Sequence, residues 1–189
     1  ELDKLSKPHP KEEYYNNKYP KKNIYYRGRF IPNHGNYAVD VKDFFINPYS
    51  HELQRIVKDW KDKSDDEKAL LCQKWVRENI KYVSDKANYG GLSEYWGYPQ
   101  ETLYLGCGDC DDGSILMANL MLASGIPYWK IRLNAGYVYD RNGNCLGGHA
   151  WCNYYYEKGD RWVSMDWCFY PNLKPLDKRP NYKNEIIYG

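Results

Sequence analysis

Between Cys110 and Ser124 the chain reads CDDGSILMANLMLAS, and this stretch restricts the fold more than any other. Asp111 and Asp112 stand where the first-turn dipole of a helix favours acids. Ile115, Leu116, Leu120, Met121 and Leu122 then form a broad apolar face. Gly125-Ile126-Pro127 ends the segment, with Gly as a left-handed cap and Pro barring continuation. A helix this apolar is nearly all buried, so the domain has to be built around it.

After that helix the period drops to two: Trp129, Ile131 and Leu133 alternate with Tyr128, Lys130 and Arg132. Strands are expected, turned by Asp140-Arg-Asn-Gly143 and again by Glu157-Lys-Gly-Asp160. Upstream, Ser64-Asp-Asp-Glu67 has capping-box spacing and starts another helix. Its core face is Leu70, Leu71, Cys72, Trp75, Val76, Ile80 and Val83, with the helix running to about Tyr82. Gly90 to Pro99 is glycine-rich and aromatic, a loop with one or more rings pinned down, and Tyr98 to Gly108 continues as loop. Helices first and an antiparallel meander second give an α+β fold with the buried helix packed on the sheet.

A chain of 189 residues suits one domain with an extension and needs no metal or disulfide to hold it. Residues 1–50 carry Pro8, Pro10, Pro20, Pro32 and Pro48 without a sustained period. They are expected to form an extended arm on a 51–189 domain, anchored by Tyr25, Tyr26, Phe30 and Ile31. The net charge of +2 gives no electrostatic ground for a nucleic-acid partner. No apolar run approaches the length of a membrane span and no signal peptide is visible. The six cysteines are clustered rather than spread as in a disulfide scaffold, and leave the compartment open, as they do the oligomeric state.

Cys107-Gly-Asp-Cys110 suits half a zinc site, a redox pair, or a nucleophile beside a bystander. A strand histidine such as His149 is more often a packing residue than a catalyst. The turn at Lys158-Gly159 changes that weighting. If Glu157 faces Asp160, His149 opposes Cys168, and Asp166 is its diagonal neighbour on the same face, within reach of an imidazole. The same pairing weighs against zinc on Cys107, Cys110, His149 and Cys152, because His149 and Cys152 leave opposite faces of their strand. It leaves Cys110 at the amino end of a buried helix, His149 on a strand and Asp166 on the next, the constituents of a thiol acyl-transfer triad.

Gly108-Asp-Cys110-Asp-Asp with its apolar helix, Gly148-His149-Ala150-Trp151 and Met165-Asp166-Trp167 resemble the transglutaminase-like superfamily of papain-fold enzymes. The resemblance runs from about Ser64 to Trp167. Tyr95-Trp96-Gly-Tyr-Pro99-Gln-Glu101 ahead of the cysteine is most similar to the bacterial transglutaminase-like cysteine proteinases, except that Asp111 replaces Glu and Gly113 a larger residue. The family implies a papain-like core, Cys110 as nucleophile, His149 as base and acid, and Asp166 as orienting group. It also implies a protein or peptide substrate. Its members cleave peptide bonds, deamidate or cross-link glutamine, or hydrolyse other amides, and some have lost catalysis. A protease or amidase is expected, with transglutaminase or deamidase activity, an inactive binding protein and a zinc-stabilised module as alternatives.

Trp96 and Gln100 are candidates for the oxyanion hole or cleft wall beside the Cys110 N–H. Asp109, Asp111 and Asp112 crowd the nucleophile and would raise its pKa. The plainer expectation is that they cap the helix and pair with Lys or Arg. The alternative is calcium at Asp109 and Asp111, as in calcium-dependent bacterial relatives, although the acyl-transfer chemistry itself requires no cofactor.

Overall fold

The structure is a computed structural model that describes residues 9–18, 26–31, 33–169, 174–175 and 182–188, with side chains at 9–18, 29 and 33–169. Tyr25 and the side chains of Tyr26, Phe30 and Ile31, the expected anchors, lie outside the described residues. Residues 9–40, expected to be extended, carry helix α1 (Pro10–Lys18) and a hairpin of strands β1 (Tyr26–Ile31) and β2 (Gly35–Asp40). Pro10 occupies the first helical position, where its missing N–H costs nothing, so it starts a helix instead of forbidding one. A 3-10 turn, Val41–Phe44, follows and buries Val41 and Phe44 in the main core.

Helices α2 (His51–Val57) and α3 (Asp65–Asn79) come next. Ser64 and Glu67 cap α3 reciprocally, each side chain accepting the other's backbone N–H. Cys72, Val76 and Ile80 of its inner face are fully or nearly buried. Leu70, expected on that face, is exposed, because the buried stripe of the helix runs through Ala69, Cys72, Gln73 and Val76. The helix ends at Asn79 instead of near Tyr82, and Tyr82 is exposed on the extended chain that follows.

Strand β3 (Lys81–Tyr82) and helix α4 (Asp85–Asn88) lead into the aromatic loop, which buries Tyr95 and Trp96. The segment from Tyr98 to Gly108 is not a loop. It holds helix α5 (Pro99–Leu105) and the two-residue strand β4 (Cys107–Gly108), parallel to β3. Pro99 at the first position, the Glu101 carboxylate on the Tyr98 N–H at 2.7 Å, and Gly106 in the left-handed region at φ 63° are the start and stop signals.

Helix α6 (Cys110–Ala123) is the centre of the molecule: every residue from Asp111 to Met121 is buried. Helices α2, α3 and α5 touch it on one side and the sheet on the other. That sheet consists of β5 (Ile131–Tyr139), β6 (Cys145–Tyr156), β7 (Arg161–Met165), β8 (Lys174–Pro175) and β9 (Tyr182–Tyr188), in the antiparallel order β8-β7-β6-β5-β9. Cys152 pairs with Met165, Tyr154 with Val163 and Tyr156 with Arg161, the register set by the turn at Lys158-Gly159. The ladder stops at Met165, so Cys168 lies beyond it.

The expected alternation along 128–133 fails for a physical reason. Tyr128–Lys130 is a 3-10 turn, and Lys130, Arg132 and Asn134 are buried. Helix α1 covers what would have been the wet face of the sheet. Tyr15 donates to Asn134 Oδ1 at 3.1 Å, Asn153 donates to Tyr15 at 2.6 Å, and Glu12 stands 3.3 Å from the Arg132 guanidinium. The sheet is therefore packed on both sides, by α6 and by α1. Among the described residues no helix is long and apolar enough to cross a membrane.

Candidate active site

Cys110 is the first residue of α6. Asp109 caps the helix by accepting the Asp111 N–H at 3.3 Å, and Asp112 accepts the Asp109 N–H at 3.2 Å, completing a capping box. The first turn is fixed from outside as well. Trp167 donates its indole N–H to the Cys110 carbonyl at 3.3 Å, and a Cβ on Gly113 would fall 2.2 Å from the Trp167 ring. The departure at Gly113 is thereby explained: the helix gives up a side chain so that Trp167 can lie against the turn carrying the thiol.

His149 and Asp166 meet as the strand register requires. The imidazole Nε2 stands 2.6 Å from Asp166 Oδ2. Both residues are buried, Asp166 completely. Oδ1 of Asp166 accepts the N–H groups of Cys168 and Phe169 at 3.0 and 3.2 Å, and Gln73 donates to its carbonyl at 2.7 Å. The carboxylate is held in one orientation by His149 at Oδ2 and the two N–H groups at Oδ1, and Gln73 fixes the backbone that carries it.

Cys110 and His149 line one cavity of about 630 Å³ with Tyr82, Glu94, Trp96, Asp109, Asp111 and Tyr137. Trp96 is its buried wall, with its indole N–H donated to Glu94 Oε1 at 2.7 Å. Gln100 is exposed on α5 and does not line the cavity. Cys107 and Cys152, by contrast, point elsewhere. The Cys107 thiol faces Asn88 at 3.4 Å, and that of Cys152 donates to the Ser114 carbonyl at 3.3 Å inside the core. The four-ligand zinc set that includes them does not assemble among the described residues. All six cysteines are free thiols.

The aspartates behave differently from the plainer expectation. They cap the helix, but among the described residues no Lys or Arg pairs with Asp109, Asp111 or Asp112. Instead a fourth acid joins them. Donor oxygens of Asp85, Asp109 and Asp112 lie within 4.8 Å of one another, and Asp109, Cys110 and Asp111 form an adjoining group. Burial above all, and then Asp109, hold the Asp85 carboxyl up at about 7. Burial likewise lifts Asp112 to about 8, against the hydrogen bond from Gly97. Burial, then Asp111 and Asp109, push the Cys110 thiol well above its ordinary value, opposed by the Ala150 N–H. Among the described residues Asp85 Oδ1 and Asp111 Oδ2 are buried without a hydrogen-bond partner. An oxygen-only cluster with orphaned acceptors is the donor set of a hard divalent cation such as calcium. Sequence reasoning missed Asp85, which lies 24 positions before Asp109 in an unremarkable helix and comes to the site only through the tertiary fold.

A buried helix that opens on a cysteine, packed against an antiparallel sheet with an imidazole-carboxylate pair, defines an α+β core of the papain-like kind. Residues 53–167 match the sequence model of the transglutaminase-like superfamily, and the chain belongs to that family. A comparison with curated protein sequences finds no match. Among solved structures, calcium-bound Legionella pneumophila LapG is similar at a TM-score of 0.60 and 19% identity, covering 73% of this chain and 72% of that one. Another structure of Legionella pneumophila LapG aligns at 0.58 and 18%, over 80% and 84% of the two chains, and an EGTA-treated form at 0.57 and 18%, over 80% and 82%.

Proposed function

We propose that this member of the superfamily is a thiol-dependent acyl-transfer enzyme, a protease or amidase acting on peptide or side-chain amides of a protein or peptide substrate. The observation that carries the reading is the His149–Asp166 pair at 2.6 Å opening on the cavity that also contains Cys110 at a helix amino end.

With Asp166 accepting from Nε2–H, the neutral imidazole keeps its lone pair on Nδ1 and serves as the base. The Cys110 sulfur attacks the amide carbon as its proton passes to His149. The oxyanion is met by the Cys110 backbone N–H at the helix start. His149 then gives the proton to the departing amine, leaving a thioester. Water, deprotonated by His149, attacks the thioester carbon, the acid leaves, and the thiol regains its proton.

Asp85, Asp109 and Asp112 would hold calcium, with Asp111 beside them. The cation supplies positive charge that offsets the carboxylates and relieves their push on the Cys110 thiol. That similar folds are known in calcium-bound and EGTA-treated forms supports the assignment.

The test is labelling with an amide-derived electrophile in calcium, read by intact mass, in the chain, Cys110→Ala and His149→Ala. One adduct on the chain and none on Cys110→Ala is expected, with labelling of His149→Ala slowed by roughly 10²-fold or more. Equal labelling of all three would overturn the assignment.

A further inference from the structure

Cys168 brings a third kind of donor to the His149–Asp166 pair. An imidazole nitrogen, a carboxylate oxygen and the Cys168 sulfur lie within 4.8 Å of one another. We infer that His149, Asp166 and Cys168 form a site for a borderline-soft transition-metal ion of the zinc class, and that occupancy of this site switches the thiol chemistry off.

The donor set is the first argument. Mixed nitrogen, oxygen and sulfur ligands select zinc-like ions, whereas the all-oxygen group at Asp85, Asp109 and Asp112 selects calcium, so the two sites sort their cations by chemistry. Preorganisation is the second. The hydrogen bonds from the Cys168 and Phe169 N–H groups to Asp166 Oδ1 fold the chain back after β7 and leave the Cys168 sulfur 3.6 Å from that oxygen. Access is the third. Cys168 and His149 also line a second cavity, of about 560 Å³, with Arg77, Tyr82, Trp167 and Phe169, which gives the ion an entry path and leaves a fourth position for water.

Ligand atoms of a tetrahedral zinc ion with bonds of about 2.0 Å stand roughly 3.3 Å apart. The ion therefore takes the place of the proton between His149 Nε2 and Asp166 Oδ2, with the ring withdrawing by less than about 1 Å. A metal–sulfur bond forms and the Cys168 S–H proton leaves to solvent. The Nε2 proton moves to Nδ1 as Nε2 binds the metal. One proton is released per ion, and Nδ1, now protonated, no longer accepts the proton of Cys110. The inhibition rests on the acyl-transfer reading; the binding does not.

The experiment uses the whole chain in saturating calcium, with cobalt(II) as an optical probe. A thiolate-to-cobalt charge-transfer band that saturates at about one ion per chain is expected in the unmodified chain and in Cys145→Ser, absent in Cys168→Ser, and erased by added zinc. In parallel, zinc should slow electrophile labelling of Cys110 by about tenfold or more in the unmodified chain, and this ratio should collapse in Cys168→Ser. A band that persists in Cys168→Ser, or slowing by zinc that is undiminished there, overturns the proposal. If the zinc-free chain does not label at Cys110 at all, the acyl-transfer reading has failed, and the cobalt band alone decides the metal site.

Discussion

Trp167 donates its indole N–H to the carbonyl of Cys110, and its ring fills the space that any side chain at position 113 would need. The residue after Asp166 thus sets the position of the turn that carries the thiol. Gly113→Ala forces the methyl into the indole. It should destabilise the protein by about 1–3 kcal/mol, the cost of overpacking a filled core. Urea denaturation checks this, and Gly113→Ala combined with Trp167→Ala should recover part of the loss, since the clash is then gone.

Asp166 holds the imidazole through Oδ2 and the following turn through Oδ1. Asp166→Asn keeps the size of the group but presents an amide that does not fix Nε2–H as a carboxylate does. Amide turnover, or Cys110 labelling in its place, should fall by roughly 10²- to 10⁴-fold while the far-UV circular dichroism is unchanged. An effect below tenfold would remove Asp166 from the orienting role.

What the sequence made legible follows the range of the forces involved. The capping box at Ser64 and Glu67 is satisfied within four residues, so its helix start could be placed without knowing the fold. The pairing of β6 with β7 is set by one turn, so the meeting of His149 with Asp166 could be extrapolated from Glu157-Lys-Gly-Asp160. The α5 signals, Pro99, Glu101 and Gly106, are equally local, but they follow directly on a glycine-rich aromatic stretch whose loop character masks them. Asp85 and Arg132 are different. Their surroundings come from segments distant in the chain, the aspartate cluster after α5 for one and α1 for the other, and no local pattern announces either. The burial of Arg132, Asn134 and Asn153 follows from α1 covering the sheet, which turns an apparent wet face into a polar core.

Calcium should stabilise the chain, and by more at higher pH. Without the cation, Asp85 and Asp112 keep their protons up to about 7 and about 8 in the folded state. In the unfolded chain they lose them near pH 4. Between about pH 4 and pH 8 the folded form therefore binds more protons than the unfolded, so stability in chelator falls as pH rises across that window and levels off above it. Calcium takes over from those protons. At about a hundredfold excess over its dissociation constant it contributes about 2.7 kcal/mol. Thermal melts at pH 5 and pH 8.5, each with chelator and with calcium, should show the larger shift at pH 8.5. Identical melts in all pairs would show that the cluster holds no calcium.

Helix α1 should be part of the stability of the domain, because it supplies Glu12 to a guanidinium with no exposed surface. Burial lowers the pKa of Arg132 and Glu12 raises it, so the pair persists because the carboxylate offsets desolvation. Among the described residues Arg132 Nε has no hydrogen-bond partner and Nη2 has only the Glu12 carboxylate at 3.3 Å, while Nη1 donates to the Trp129 and Ile131 carbonyls. Removing Glu12 leaves that charge buried without its counterion, at a cost of about 3 kcal/mol. Replacing both residues, as in Glu12→Leu with Arg132→Met, removes the uncompensated charge and should be less damaging than Glu12→Leu alone. Urea midpoints of the two variants decide it: if the single substitution is the milder one, the Glu12–Arg132 contact at 3.3 Å is not what fastens α1 to the sheet.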